Sequence, residues 1–192
     1  MIRVAVFASG NGSNFENLVT ANLKYAKICL LVIDKEDAYA KTRAEKLGIP
    51  WIFINPKGLS KAVFEEKILT HLKNYQIEFI ALAGYMRFIG NTLLEAYPNL
   101  IINLHPAYLP NFPGATSITD AFNAKVAYSG VTIHYVDKGI DTGEIIHQEK
   151  VQILKSMTLD DFEKSIHTLE YIMYPKILDK ICKEKINEKS IN

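Results

Sequence analysis

The apolar run Leu100-Ile101-Ile102-Asn103-Leu104-His105-Pro106 ends on an asparagine and a histidine spaced by two. In an extended chain alternate side chains share a face, so Asn103 and His105 point together and away from Leu104. An amide beside an imidazole can donate to a developing oxyanion and move a proton. Farther along, Gly139-Ile140-Asp141-Thr142-Gly143 presents a carboxylate on a glycine-flanked turn. Taken alone, His105 reads equally well as a structural histidine, and Asp141 as a turn residue. If the fold brings them together, the carboxylate favours the imidazolium and raises the His105 pKa.

Gly10-Asn11-Gly12-Ser13-Asn14 is a second candidate, because it joins a strand-like run to a helix-like one. It is no Walker A loop, since no Gly-Lys-Ser/Thr follows. Phe15 stands where a dinucleotide fingerprint needs its third glycine. Asp34 occupies the place of such a fold's ribose-binding acid but reads first as a cap of the next helix. The loop otherwise offers backbone N–H groups, a hydroxyl and an amide at a helix start, which suits a phosphate monoester. A tight turn that binds nothing is the equal alternative. Ser9 and Ser13 lack a nucleophile-elbow pattern. The five histidines show no zinc-type spacing, and no metal is expected. His134, on an alternating strand, reads as packed or hydrogen-bonded rather than catalytic.

The elements that must position these residues alternate along the chain. Ile2–Phe7, Ile28–Ile33, Trp51–Ile54, Phe79–Ala83 and Leu100–Leu104 read as strands. Helices are expected over Asn14–Ala21, from the residues after Asp34 to about Leu47, around Phe64, Ile68, Leu72 and Tyr75, and over Ile118–Ala124. Near-continuous apolar strands separated by helices imply parallel β–α–β units covered on both faces. Past a proline-rich loop, Gly130–Val136 and Glu144–Ile153 read as two further strands. A last helix starts after Thr158, with a kink or restart expected at Pro175. The Lys-rich stretch 183–192 reads as a solvated or frayed tail.

The 192 residues fit one domain spanning the chain, 48% hydrophobic and 22% charged. A net charge of +1 gives no sign of a nucleic-acid or acidic-membrane partner. No run reaches transmembrane length, and the start shows no signal peptide, so a cytoplasmic location is expected. Two cysteines without motif spacing read as inert thiols.

GNGSN, LAGYMRFI (Leu82–Ile89), NLHPAYLPNFPGA (Asn103–Ala115), GVTIHYVDKGIDTGEII (Gly130–Ile146) and EYIMYP (Glu170–Pro175) occur in that order. Together they resemble the phosphoribosylglycinamide formyltransferase family over nearly the whole chain. The resemblance implies an α/β fold of Rossmann-like, three-layer form. Its sheet would be mostly parallel, with hairpin-like C-terminal strands and a long C-terminal helix. It also implies formyl transfer from 10-formyltetrahydrofolate, as cosubstrate, to the amine of glycinamide ribonucleotide, a step of purine synthesis. Asn103 and His105 would hold the oxyanion. Asp141 would orient His105, stabilise its charged form and assist proton transfer. Gly12, Ser13 and Asn14 would take the substrate phosphate, and Met86 and Glu170 the ribose and amine end. Arg87, Phe88 and Ile89, with the turn carrying Val136, Asp137, Ile140 and Asp141, would line the folate site. Small molecules are the implied partners, with the chain a monomer or a homodimer.

One departure stands out. Thr116 occupies a position where the family often has histidine, so a second imidazole near the formyl group is not implied. Methionyl-tRNA formyltransferase and formyltetrahydrofolate deformylase share the folate core, but each would carry a further domain. A nucleotide-binding oxidoreductase or binding module would leave Asn103, His105 and Asp141 unexplained.

Overall fold

The computed structural model describes residues 1–191. In chain order the elements are β1 (Ile2–Ala8), α1 (Ser13–Thr20), β2 (Ala26–Ile33), α2 (Ala40–Leu47), β3 (Trp51–Phe53), α3 (Lys61–Asn74) and β4 (Phe79–Leu82). There follow α4 (Asn91–Ala96), β5 (Ile101–His105), α5 (Ser117–Asn123), β6 (Tyr128–Tyr135), β7 (Ile145–Gln152) and α6 (Leu159–Ile191).

The strands form one seven-stranded sheet in the order β3-β2-β1-β4-β5-β6-β7. β1 to β5 run parallel, whereas β6 and β7 are antiparallel additions at one edge. Strand periodicity divides the core in two. Val4, Val6 and Ala8 of β1 face a cluster with Phe15, Leu18, Phe162 and Ile166. Ala5 and Phe7 face the opposite cluster, with Phe64, Ile68, Leu72 and Leu93. α1, α2, α5 and α6 therefore cover one face and α3 and α4 the other, which gives three layers. After β1 the chain winds outward through β2 and β3, then returns to place β4 on the other side of β1. Open α/β sheets bind ligands at such a reversal, outside the carboxyl ends of the strands.

Several expectations are corrected. α4, only six residues long, gave too short an apolar period to be read as a helix. Asp34 caps nothing: α2 begins at Ala40 without a side-chain cap, and Asp34 is buried with Oδ1 lacking a hydrogen-bond partner. Thr158 does cap α6, through a reciprocal pair with Asp161. α6 runs through Pro175 without a break. Pro175 has no N–H, so the Tyr171 carbonyl loses its helical donor, and Asn17 Nδ2 supplies the replacement at 2.9 Å. The Lys-rich end is largely solvated, as expected, but it is not frayed over the described residues. It is helical to Ile191, with Lys189 paired to Glu78; Asn192 lies outside the described residues. Among the described residues no helix is long and apolar enough to cross a membrane.

Candidate active site

A cleft of about 630 Å³ opens where β1, β4 and β5 end, at the reversal of strand order. Every site residue singled out from the sequence lines it, from Gly12 on the first loop to Glu170 on α6. So do Ser9, Asn11, Tyr85, Gly114, His134 and His167, which had not been assigned to the site.

One wall is the loop after β1. Gly12 has φ +75°, and a Cβ there would meet Ala40 Cβ at 2.5 Å, so only glycine lets α2 pack this close. The loop feeds α1, whose first N–H groups have no intrahelical acceptors. Ser9, buried beneath it, accepts from the Met86 N–H at 2.8 Å, tying this loop to the one after β4. Asn14 Nδ2 donates to Glu170 Oε2 at 3.0 Å, leaving Asn14 Oδ1 buried and unpartnered. His167 Nδ1 lies 2.9 Å from the same Glu170 oxygen. On this flank of α6 Glu170 and Tyr174 are at most 4% exposed, whereas His167 is exposed. Tyr174 Oη donates to the Leu82 carbonyl at 2.8 Å, which pins α6 to the end of β4. The Glu170 carboxylate raises the His167 pKa above its ordinary value.

The opposite wall holds the polar cluster. β5 and β6 pair antiparallel with Asn103 opposite His134, so register alone places the amide beside that imidazole. His134 Nδ1 donates to the Tyr135 carbonyl at 2.8 Å, while Nε2 lies 3.3 Å from Asn103 Nδ2 and 3.5 Å from Asp141 Oδ1. The same amide nitrogen reaches Asp141 Oδ1, also at 3.3 Å. Asp141 Oδ2 accepts from the Gly114 N–H at 2.9 Å and lies 3.5 Å from His105 Nδ1. The far side of the His105 ring, Nε2, donates to the Phe112 carbonyl at 2.9 Å. Asp141 has φ +53°, the left-handed region, a conformation its surroundings must enforce.

Burial works to raise the Asp141 carboxyl, but the His134 side chain, the Gly114 N–H and His105 outweigh it and hold the group at about 2. For His105 the balance falls the other way. Burial pushes its pKa below the ordinary value, against the Phe112 carbonyl and Asp141, which favour the charged ring. The expectation that Asp141 raises the His105 pKa is therefore corrected: the carboxylate acts in that direction, and burial is larger. A neutral His105 keeps its proton on Nε2, where Phe112 accepts it, and its basic lone pair on Nδ1.

At the mouth of the cleft, Met86, Phe88 and Ile140 are each more than half exposed. Such an apolar rim suits a flat aromatic ligand. The Arg87 side chain turns away and lies over the Phe64 ring, 5.1 Å from its centre. Asp137 spends its carboxylate on the turn, accepting from the Gly139 N–H and the Thr142 hydroxyl. Thr116 is outside the cleft lining, and its hydroxyl donates to Asp120 at 2.7 Å.

Residues 2–178 match the family described as Formyl transferase. The phosphoribosylglycinamide formyltransferase of Bacillus subtilis (strain 168) is 48% identical over 94% of this chain and 95% of its own length. Two crystal structures share the architecture. The phosphoribosylglycinamide formyltransferase of Streptococcus pneumoniae TIGR4 has a TM-score of 0.89 at 46% identity, over 94% of this chain and 99% of that one. Glycinamide ribonucleotide transformylase 1 of Geobacillus kaustophilus has a TM-score of 0.91 at 45% identity, over 95% and 99%. With a family match over residues 2–178 and likeness in sequence and fold along nearly its whole length, the chain belongs to the formyl transferase family, among the phosphoribosylglycinamide formyltransferases.

Proposed function

We propose that this chain transfers the formyl group of 10-formyltetrahydrofolate to the primary amine of glycinamide ribonucleotide, releasing tetrahydrofolate. The observation that carries the reading is a single cleft with an anion-suited helix start on one wall and the Asn103–His105–Asp141 cluster on the other. A substrate anchored by its phosphate at Gly12, Ser13 and Asn14, with its ribose hydroxyls toward Glu170, extends its amine past Met86 toward the cluster. The folate lies between the Arg87–Ile89 segment and the Val136–Asp141 turn.

The amine attacks the formyl carbon, and the carbonyl oxygen becomes an oxyanion. His105 Nε2–H and the Asn103 amide are the donors for it. Without substrate they rest on protein acceptors: Phe112 O at 2.9 Å and Asp141 Oδ1 at 3.3 Å. A full negative charge is a stronger acceptor than a carbonyl or a distant carboxylate, so the oxyanion displaces them. A donor of this kind is worth about 3 kcal/mol in the transition state.

The amine must also lose a proton. Asp141, held at about 2, is a poor base at neutral pH. His105, held neutral with Nδ1 open, is the stronger base in the cluster. Asp141 then stabilises the positive ring formed when Nδ1 takes the proton through water. The amine nitrogen ends as an amide, and the departing folate nitrogen takes a proton as its bond to the formyl carbon breaks.

The test is a formyl-transfer assay with purified protein, glycinamide ribonucleotide and 10-formyltetrahydrofolate. Tetrahydrofolate should appear only when the ribonucleotide is present. Equal release without it would instead establish transfer to water.

A further inference from the structure

Arg43 of α2 does not line the cleft, yet its guanidinium makes three bonds around the first loop. Nε donates to the Asn11 carbonyl at 2.9 Å and Nη2 to Asn11 Oδ1 at 2.8 Å. Nη1 pairs with Glu16 of α1. The guanidinium also lies over the Tyr39 ring, 5.1 Å from its centre, and the side chain is 20% exposed.

The neighbouring carbonyls are held too. Gly10 O accepts from the Ala40 N–H at 3.1 Å, and Gly12 O from the Glu16 N–H at 3.0 Å. Three successive carbonyls are thus each claimed by a donor on α1 or α2. In a trans peptide the C=O and the following N–H point in opposite directions. Claiming the carbonyls of Gly10, Asn11 and Gly12 therefore turns the N–H groups of Asn11, Gly12 and Ser13 the other way. Those residues line the cleft. The Gly10 and Gly12 carbonyls are held by main chain, whereas the Asn11 carbonyl depends on a side chain, Arg43.

We propose that Arg43 is a positioning residue for the phosphate site. It locks the Asn11–Gly12 peptide with its carbonyl outward and its N–H toward the anion. The inference rests on reading Gly12–Asn14 as the phosphate loop. Without Arg43 this peptide is free to flip, and a flipped carbonyl would present an oxygen to the phosphate. Lysine keeps the charge but not the fork that grips both Asn11 oxygens.

The experiment measures ribose 5-phosphate binding by calorimetry in wild type, Arg43→Lys and Arg43→Met, with thermal melts to confirm folding. Arg43→Met should weaken binding about tenfold or more, as expected for losing charge-assisted bonds, and Arg43→Lys should recover little of it. In the transfer assay the KM for glycinamide ribonucleotide should rise in parallel. The KM for 10-formyltetrahydrofolate should hold, and kcat should stay within about threefold. Millimolar guanidinium should partly restore binding to Arg43→Met. Wild-type binding in either variant overturns the proposal, as does an equal rise in both KM values. If Arg43→Met does not fold, Arg43→Lys decides. A wild type that binds ribose 5-phosphate but transfers no formyl group overturns the proposed reaction and leaves the Arg43 test standing. A wild type that binds no ribose 5-phosphate overturns both.

Discussion

His105 Nδ1 lies 3.5 Å from Asp141 Oδ2, while Nε2 of the same ring donates to Phe112 O at 2.9 Å. The ring is thus set between two acceptors, and only its protonated form has a donor for each. Burial nonetheless holds it neutral in the free protein. Its charged form is therefore held in reserve until a proton arrives, as the proposed role of a base requires.

The first prediction follows. In the free protein the His105 ring should titrate below 6.5 by NMR. In Asp141→Asn it should titrate lower still, because a group that favours the charged ring is gone. His105→Ala and Asp141→Asn should each lower kcat by about 10²–10⁴ with an unchanged circular dichroism spectrum. Near-normal turnover in Asp141→Asn would remove the pair from the mechanism.

Parts of this cluster were legible because strand geometry is local. A spacing of two put Asn103 and His105 on one face without any tertiary information. The approach of Asp141 was not legible in the same way, since the β5–β6 register and the strained turn at Asp141 create it. The same register hid His134. Its partner Asn103 lies 31 positions away, and only antiparallel pairing sets them side by side. A polar residue within the buried stretch Gly130–His134 was the available signal. Glu170 was named through the family resemblance, and its burial was not legible. That depends on Asn14 and Tyr174 docking α6 against α1 and β4. Arg43 left no local signal, because its role arises only where α2 packs on the loop.

A second prediction concerns stability and pH. Glu170 raises the His167 pKa in the folded protein, so the folded state holds its proton more tightly than the unfolded chain. That contribution is fully present below about pH 6.5 and is lost as pH rises through the raised folded value. His105 acts with the opposite sign. Its lowered folded pKa makes its contribution present above about 6.5 and lost as pH falls through the folded value. His167→Gln should therefore remove the decline in melting temperature on the alkaline side of neutrality and leave the acid-side decline intact. An unchanged alkaline decline in His167→Gln would show that the ion pair contributes nothing to it.

The last prediction tests how α6 tolerates Pro175. The missing N–H leaves the Tyr171 carbonyl to Asn17 Nδ2, at 2.9 Å, on the α1 turn next to the one that carries Asn14. Asn17→Ala should cost about 1 kcal/mol, the usual net worth of such a bond. In a Pro175→Ala background the helix regains an N–H for that carbonyl, so the same Asn17→Ala change should cost less. The two substitutions should therefore be non-additive in a denaturant-unfolding cycle, with coupling of about 0.5 kcal/mol or more. Because Asn14 on the same helix holds Glu170, Asn17→Ala should also raise the KM for glycinamide ribonucleotide more than that for the folate. Strict additivity would mean that the Tyr171 carbonyl finds water equally well. α1 would then be docked by its apolar face, Phe15 and Leu18, and by the Asn14–Glu170 bond.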